Sequence, residues 1–183
     1  YEKGDYMHAN QLFENLLLYS RGRDMAEKVN LYYAKSLLGS KDYYSAGYQF
    51  ESFVKWFPYS QYAEEALFQA AFCKYLESPE SSLDQTLTKQ SIDAFQQYIE
   101  KYPKSERVAE ANKLMDELRD KLIEKDYQNA YAYYKTMQYH AAVVSFKNFL
   151  NDYPDLTDKR ENAMYYIVLA GYEFARNSVE DKL

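Results

Sequence analysis

The chain has only one cysteine, five glycines and four prolines among its 183 residues, and each shortage excludes a class of structure. The single Cys73 allows no internal disulfide and no cysteine-based zinc site, and its apolar neighbours predict a small buried side chain. So few glycines and prolines argue against a strand-rich fold, because such folds need many tight turns. No run of 18 apolar residues occurs, so the sequence predicts no membrane-spanning helix.

Acidic residues outnumber basic ones, with 28 Asp and Glu against 22 Lys and Arg. The formal net charge is −6 and the isoelectric point is near 5.1, so the basic stripe typical of a nucleic-acid-binding protein is missing. The two histidines, His8 and His140, are far apart in the sequence, and we interpret them as polar surface residues rather than metal ligands. Glycine-rich phosphate loops and common hydrolase motifs do not occur. We therefore expect no catalytic residues, no cofactor, no metal site and no nucleic-acid partner.

Aromatic side chains, in contrast, are abundant, with 22 tyrosines and 10 phenylalanines. Many follow one pattern, in which aromatic residues spaced three and then four apart end directly before a proline. This spacing places the aromatics on one face of a helix, and the proline ends that helix. The three copies are Phe50, Phe53, Phe57 and Pro58; Phe95, Tyr98, Tyr102 and Pro103; and Phe146, Phe149, Tyr153 and Pro154.

A small residue precedes the first aromatic by four positions, as Ala9 before Phe13, Ala46 before Phe50 and Ala142 before Phe146. Ser91 takes this position before Phe95. Small side chains are needed where the two helices of a hairpin cross closely. Phe13 and Phe50 are 37 residues apart, near the ~34-residue period of tetratricopeptide repeats. The predicted fold is therefore all-α, a right-handed tetratricopeptide superhelix, or α-solenoid.

The helices between these units can also be predicted. Partner helices are expected over about 25–38 and 60–76, with Ser60 and Ser105 as N-caps. No helix breaker occurs between Arg107 and about Lys135, which predicts one long helix, or two stacked end to end, joining neighbouring repeats. The last helix carries Tyr165, Tyr166, Leu169 and Tyr172 as its apolar positions. We expect residues 1–183 to form a single domain, cut from a longer protein, in which the first repeat lacks most of its first helix and the C-terminal end is truncated.

A solenoid of this kind usually provides a binding surface, which the first helix of each hairpin lines on the concave side. Aromatic stripes at this spacing occur in cores as well as in grooves; exposed, they would suit an extended peptide or a partner domain. Counting from Ala34, Ala71 and Ala130 gives three sets of candidate partner-binding residues: Leu31, Lys35 and Leu38; Phe68, Phe72 and Tyr75; and Tyr127, Tyr131 and Tyr134.

A resemblance to a known family rests on the stretches 113–127, Ala130–Tyr134, Ala141–Phe146 and Asp152–Pro154. Together they resemble the BamD family, the tetratricopeptide lipoproteins of the outer-membrane β-barrel assembly machinery. The similarity extends over nearly the whole chain, and its most specific part is the long helix followed by Tyr133 and Tyr134. Other short segments resemble the Bacteroidetes-type members: Ser78-Pro79, Asp84-Gln85-Thr86, Ala94-Phe95 and Tyr102-Pro103-Lys104-Ser105.

The resemblance implies a non-catalytic protein at the periplasmic face of the outer membrane. It implies attachment to the membrane through a lipid on an N-terminal cysteine. That cysteine is not present in this chain, because the one cysteine, Cys73, lies in mid-helix and far from the N-terminus. It also implies docking of the C-terminal repeats onto the last periplasmic domain of a BamA-like barrel. The N-terminal repeats would engage unfolded outer-membrane proteins.

Two other classes of protein are alternatives to this interpretation. One is another periplasmic repeat scaffold of the Tol–Pal coordinator kind, whose repeats are more regular and lack a long helix over 107–135. The other is a helical-superhelix enzyme module such as a lytic transglycosylase, which would need an acidic general acid on a separate catalytic domain.

Overall fold

The computed structural model describes residues 6–20 and 25–180, with side chains as far as Ser178. Within these ranges the chain forms eight α-helices and no strand, which confirms the all-α prediction and agrees with a tetratricopeptide-like α-solenoid. Consecutive helices pack against one another. The helices are α1 (Tyr6–Ser20), α2 (Ala26–Gly39), α3 (Tyr43–Trp56), α4 (Ala63–Glu77), α5 (Thr86–Lys101), α6 (Val108–Lys135), α7 (Tyr139–Asp152) and α8 (Arg160–Glu180).

The long helix predicted over 107–135 is present as α6, 28 residues without a break. The chain groups into two compact units, Tyr1–Arg119 and Asp120–Leu183, and their boundary falls inside this helix. We refer to them as unit 1 and unit 2. That the whole chain acts as a single domain stays a prediction.

The helices that carry the aromatic–proline pattern, α3, α5 and α7, end in the same way. In each, the residue before the proline leaves the helix with φ near −127° and ψ near +60°, and its N–H donates to the carbonyl oxygen four residues earlier. Proline restricts the residue before it to such non-helical conformations. The three prolines themselves are exposed, so they act on the backbone and not through packing.

The predicted core positions at the centres of α3, α5 and α7 are buried. Phe50, Phe95 and Phe146 are fully buried, as are Ala46 and Ala142. Phe50 belongs to a cluster of α2, α3 and α4, and Phe95 to a cluster of α4, α5 and α6, both in unit 1. Phe146 belongs to the cluster of unit 2, formed by α6, α7 and α8. The 3-then-4 spacing therefore identified the buried face of each helix correctly.

The predicted N-caps lie two residues too early in the chain. Helix α4 begins at Ala63, and Ser60 accepts a hydrogen bond from the N–H of Tyr62, before the helix starts. Ser105 does the same with Arg107 at the start of α6. Each serine therefore stabilises the turn that leads into the helix. A serine hydroxyl suits both roles equally well, so residue type alone could not distinguish them.

The turns after α2 and α6 share a left-handed residue that is not glycine. Lys41 has φ 63° and Met137 has φ 59°. In the second turn, the N–H of Met137 donates to the carbonyl of Tyr134, and that of Gln138 donates to the carbonyl of Tyr133. This pair of bonds is the Schellman pattern, in which glycine usually occupies the left-handed position.

We expect Met137→Gly to raise the free energy of unfolding by up to about 1 kcal/mol. A left-handed conformation costs a side-chain-bearing residue about 1–2 kcal/mol, and glycine avoids that cost. Part of the gain is offset, because glycine raises the conformational entropy of the unfolded chain. Met137 is largely exposed, so its side chain gives up little packing. Urea denaturation measures the change. Met137→Ala is the control, since it shortens the side chain but keeps Cβ. Equal stability of the glycine and alanine variants would contradict the prediction.

Candidate binding surface

The first predicted set of groove residues lies mostly in the core. Leu31 is only 3% exposed, and Leu38 packs partly buried against the same cluster of unit 1. Lys35 is half-buried and forms an ion pair with Glu65 on α4, with 2.8 Å between Nζ and the carboxylate. These residues therefore hold α2 against its neighbours, and the first set presents no aromatic surface.

The second set forms a ladder of rings along α4. The Phe68 and Phe72 centroids are 6.3 Å apart, those of Phe72 and Tyr75 are 5.8 Å apart, and both pairs are stacked. Phe68 is 2% exposed and belongs to the core, whereas the other two are half-buried. The Tyr75 hydroxyl donates to Glu117 at 2.6 Å, and this bond is the main reason that the pKa of Tyr75 is raised. The accessible part of this ladder is therefore short and fixed in place.

The third set comes together with a residue from the last helix. The rings of Tyr131 and Tyr134 on α6 lie 5.0 Å and 5.1 Å from that of Tyr166 on α8. Tyr127 continues the row along α6 and packs against Phe146 at 5.7 Å. We call Tyr127, Tyr131, Tyr134 and Tyr166 the tyrosine cluster. Each of the four is half-buried, so one side of the ring packs on the core while part of it meets solvent.

Lysines and a carboxylate surround the tyrosine cluster. The ammonium of Lys135 lies 4.9 Å from the Tyr131 ring centre, and that of Lys159 lies 5.2 Å from the Tyr127 ring centre. Such cation–π contacts contribute about 0.5–1 kcal/mol at exposed sites. Lys159 also pairs with Glu124, and this bond is the main cause of the lowered pKa of that carboxyl.

The hydroxyl groups of Tyr127, Tyr134 and Tyr166 have raised pKa values and stay protonated at neutral pH. A hydrogen bond with Tyr131, followed by burial, raises the pKa of Tyr166 to about 12. Burial is the main cause of the raised pKa values of Tyr127 and Tyr134. The cluster therefore offers neutral rings with hydroxyl groups, which suit apolar and aromatic side chains and polar backbone groups alike.

One functional feature was missed by the sequence analysis. Tyr165 and Tyr172, predicted to be apolar positions of the last helix, are 59% and 62% exposed, and Val168 between them is exposed too. Their spacing of three and four residues places them on one face of α8. The buried residues of that helix are the small Ala163 and Ala170. These two alanines, seven residues apart on one face of α8, are the signal in the sequence that marks its buried face.

We call this exposed face, formed by Tyr165, Val168 and Tyr172, the α8 stripe. Exposed apolar stripes of this kind mark interaction sites when they are contiguous. Tyrosine is favoured in interfaces because a large, rigid ring is buried while its hydroxyl finds a polar partner. The α8 stripe and the tyrosine cluster together give unit 2 a candidate surface for binding another protein.

Reactive chemistry has little support in the part of the chain that the structure describes. No group of three or more His, Cys, Asp or Glu side chains there could hold a metal ion. Cys73 is fully buried, and burial raises the pKa of its thiol to about 12, so the reactive thiolate is suppressed. No helix within the described ranges is long and apolar enough to cross a bilayer.

Comparison with known proteins gives one match over almost the full length. A family model described as YfiO, outer membrane lipoprotein, matches residues 1–182. No curated protein matches the chain.

Proposed function

This chain belongs to the YfiO family of BamD-like outer membrane lipoproteins, and from that premise we propose that it is a non-catalytic scaffold of the machinery that assembles outer-membrane β-barrel proteins. The observation that carries the proposal is the match to this family over residues 1–182. The all-helical repeat fold supports it, because such folds present extended surfaces for other proteins.

We propose that unit 2 docks onto the last periplasmic domain of a BamA-like barrel. The α8 stripe and the tyrosine cluster support this assignment, since both offer partly or largely exposed tyrosine rings. Of the predicted groove residues, Tyr127, Tyr131 and Tyr134 carry this part of the proposal.

We propose that unit 1 engages unfolded segments of outer-membrane proteins. Helix α1 supports this role, because Leu12, Leu16 and Tyr19 are exposed at helical spacing and form a second apolar face. Phe72 and Tyr75 on α4 add half-buried rings. Unfolded barrel strands alternate apolar and polar residues, so they can place their apolar side on such a face.

The proposed location is the periplasmic face of the outer membrane, with attachment through an N-terminal lipid. The family description, outer membrane lipoprotein, supports this. We also propose that the chain is a Bacteroidetes-type member, on the segments around Ser78-Pro79 and Tyr102-Pro103. The unbroken α6 favours this family over a Tol–Pal coordinator, whose repeats lack such a helix.

Affinity purification of the full-length lipoprotein from detergent-solubilised membranes tests the function. We expect a BamA-like barrel to co-purify with it, and a wild-type preparation without that barrel would contradict the proposal.

Two matched double variants test the docking surface within the same experiment. Tyr165→Ser with Tyr172→Ser removes the exposed rings of the α8 stripe, whereas Tyr44→Ser with Tyr48→Ser removes two equally exposed rings on α3. We expect the α8 variant to recover about tenfold less barrel. Tyrosines that become buried when two proteins bind are frequent hot spots of the interface. The α3 variant should behave like the wild type. Equal recovery with both variants would refute the docking surface while leaving the function intact.

A further inference from the structure

A cleft of about 690 Å³ lies between α6 and α7 in unit 2. Its size is in the range of ligand-binding clefts. It is distinct from the tyrosine cluster, because its lining comes from α6, α7 and the turn between them, whereas the cluster faces α8. The lining is mainly polar, and it contains the carboxylates of Asp126 and Asp152 but no lysine or arginine. Asn129, Ser145 and Asn148 are among its other polar residues.

Three polar side chains in the cleft are not used by the fold. Within the described ranges, the side chains of Asn129, Ser145 and Asn148 make no hydrogen bond to another part of the protein, and both asparagines are exposed. An asparagine amide offers two donors and an acceptor. The cleft walls therefore present free donors and acceptors from both helices, which is the complement that an unpaired polypeptide backbone needs.

The two carboxylates of the cleft differ in how the fold uses them. Asp126 accepts a hydrogen bond from the Tyr153 hydroxyl at 2.7 Å. Asp152 has no cationic partner in the described part of the chain. It is the last residue of α7, where the negative end of the helix dipole disfavours a carboxylate. The last residue of α5 at the corresponding position is Lys101, which the dipole favours. The charge of Asp152 is therefore not explained by the stability of its own helix.

We propose that this cleft binds an extended polypeptide segment that carries an arginine or lysine. The basic side chain pairs with Asp152, near Asp126, while Asn129, Ser145 and Asn148 hydrogen-bond to the backbone of the segment. A helical ligand is disfavoured, because the backbone groups of a helix are already paired within it. The site lies apart from the α8 stripe, so the proposal does not depend on barrel docking.

The spacing of the polar side chains fits an extended ligand. Ser145, Asn148 and Asp152 follow one another at three and four residues along α7, which places neighbouring side chains about 5–6 Å apart. In an extended chain, the groups that point to one side recur every two residues, or about every 6.6 Å. Successive backbone groups on one side of the ligand can thus meet successive side chains on α7.

Fluorescence anisotropy with the full chain tests the proposal. The probe is a fluorescein-labelled nine-residue peptide of alternating threonine and serine with arginine at its centre, and matched peptides carry glutamine or glutamate there. We expect the arginine peptide to bind at least about tenfold more tightly than the glutamine peptide. Glutamine cannot form the charge-assisted hydrogen bond that arginine makes with Asp152. The glutamate peptide should bind most weakly. Equal affinity for all three peptides would overturn the proposal.

Two variants of equal charge change assign the effect to the cleft. Asp152→Asn should abolish the preference for arginine over glutamine, and its melting temperature should not fall, since a carboxylate at the helix C-terminus is lost. Asp155→Asn makes the same change three residues away, outside the cleft, and should keep the preference. A loss of preference in both variants, or a lower melting temperature for Asp152→Asn, would refute the binding role of Asp152.

The backbone contacts have a test of their own. Asn148→Leu should weaken all three peptides by a similar factor and leave the arginine preference intact, since it removes a contact to the backbone. An unchanged affinity would refute the backbone contact.

Two small cations, N-acetyl-arginine amide and spermidine, test whether the cleft needs an extended polypeptide. We expect both to bind more weakly than the arginine peptide. If either binds as tightly, the cleft is a site for small cations and the proposal of an extended segment is contradicted.

Discussion

Replacing Phe146 with alanine is expected to lower the free energy of unfolding of unit 2 by about 3–5 kcal/mol. The side chain is fully buried. Its ring stacks on Tyr166 at 5.6 Å and meets the edge of Tyr127 at 5.7 Å. Alanine leaves a cavity between α6, α7 and α8, because neighbours anchored on three different helices cannot all move to fill it. Urea denaturation followed by far-ultraviolet circular dichroism measures the loss.

Val144→Ala on the same helix is the matched control for this prediction. Val144 lies two residues before Phe146 and is 44% exposed, so its truncation removes little packing and should change stability by less than about 1 kcal/mol. Similar losses in the two variants would show that α7 does not bury the face that the aromatic spacing predicts.

Replacing Ala46 with leucine is expected to destabilise unit 1 by about 1–3 kcal/mol through overpacking. Ala46 is fully buried among residues of α2, α3 and α4. The next residue, Gly47, shows how close the helices are, since a Cβ added there would lie 3.3 Å from Cβ of Cys73 on α4. Three extra carbon atoms at position 46 must therefore push neighbouring helices apart.

The single tryptophan makes this second measurement specific to unit 1. Trp56 is the last residue of α3, and it is the only tryptophan in the chain, so its fluorescence follows unfolding of the unit that contains Ala46. Tyr44→Leu is the control, because Tyr44 is exposed on the same helix and leucine there meets no packed neighbour. If Ala46→Leu unfolds at the same urea concentration as wild type, the close crossing at this position does not exist.

Helix positions and core faces could be predicted because they depend on local rules. The aromatic–proline pattern fixes both the buried face and the end of α3, α5 and α7, and the structure confirms both. The absence of a breaker between Arg107 and Lys135 correctly predicts α6. The errors concern a single turn, as at Ser60, where one hydroxyl can cap a helix or stabilise the turn before it.

The surface was much harder to predict. Counting along a helix gives a direction for each side chain, but it does not say whether another helix lies in that direction. Leu31 and Phe68 were therefore assigned to a groove and are found in the core. Tyr165 and Tyr172 were assigned to an apolar face and are exposed. In α8 the fully buried residues are Ala163 and Ala170, while Tyr166 packs its half-buried ring against the rings of α6 and α7.

The sequence by itself determined the helices and the buried aromatic residues of α3, α5 and α7, because backbone chemistry and apolar periodicity act over one or two turns. The tertiary structure alone decided which rings remain accessible, which tyrosines of α6 meet Tyr166, and that a polar cleft lies beside the contact of α6 with α7. These features depend on the distance and angle between helices. Those quantities result from the packing of many side chains together, and no single segment of sequence contains them.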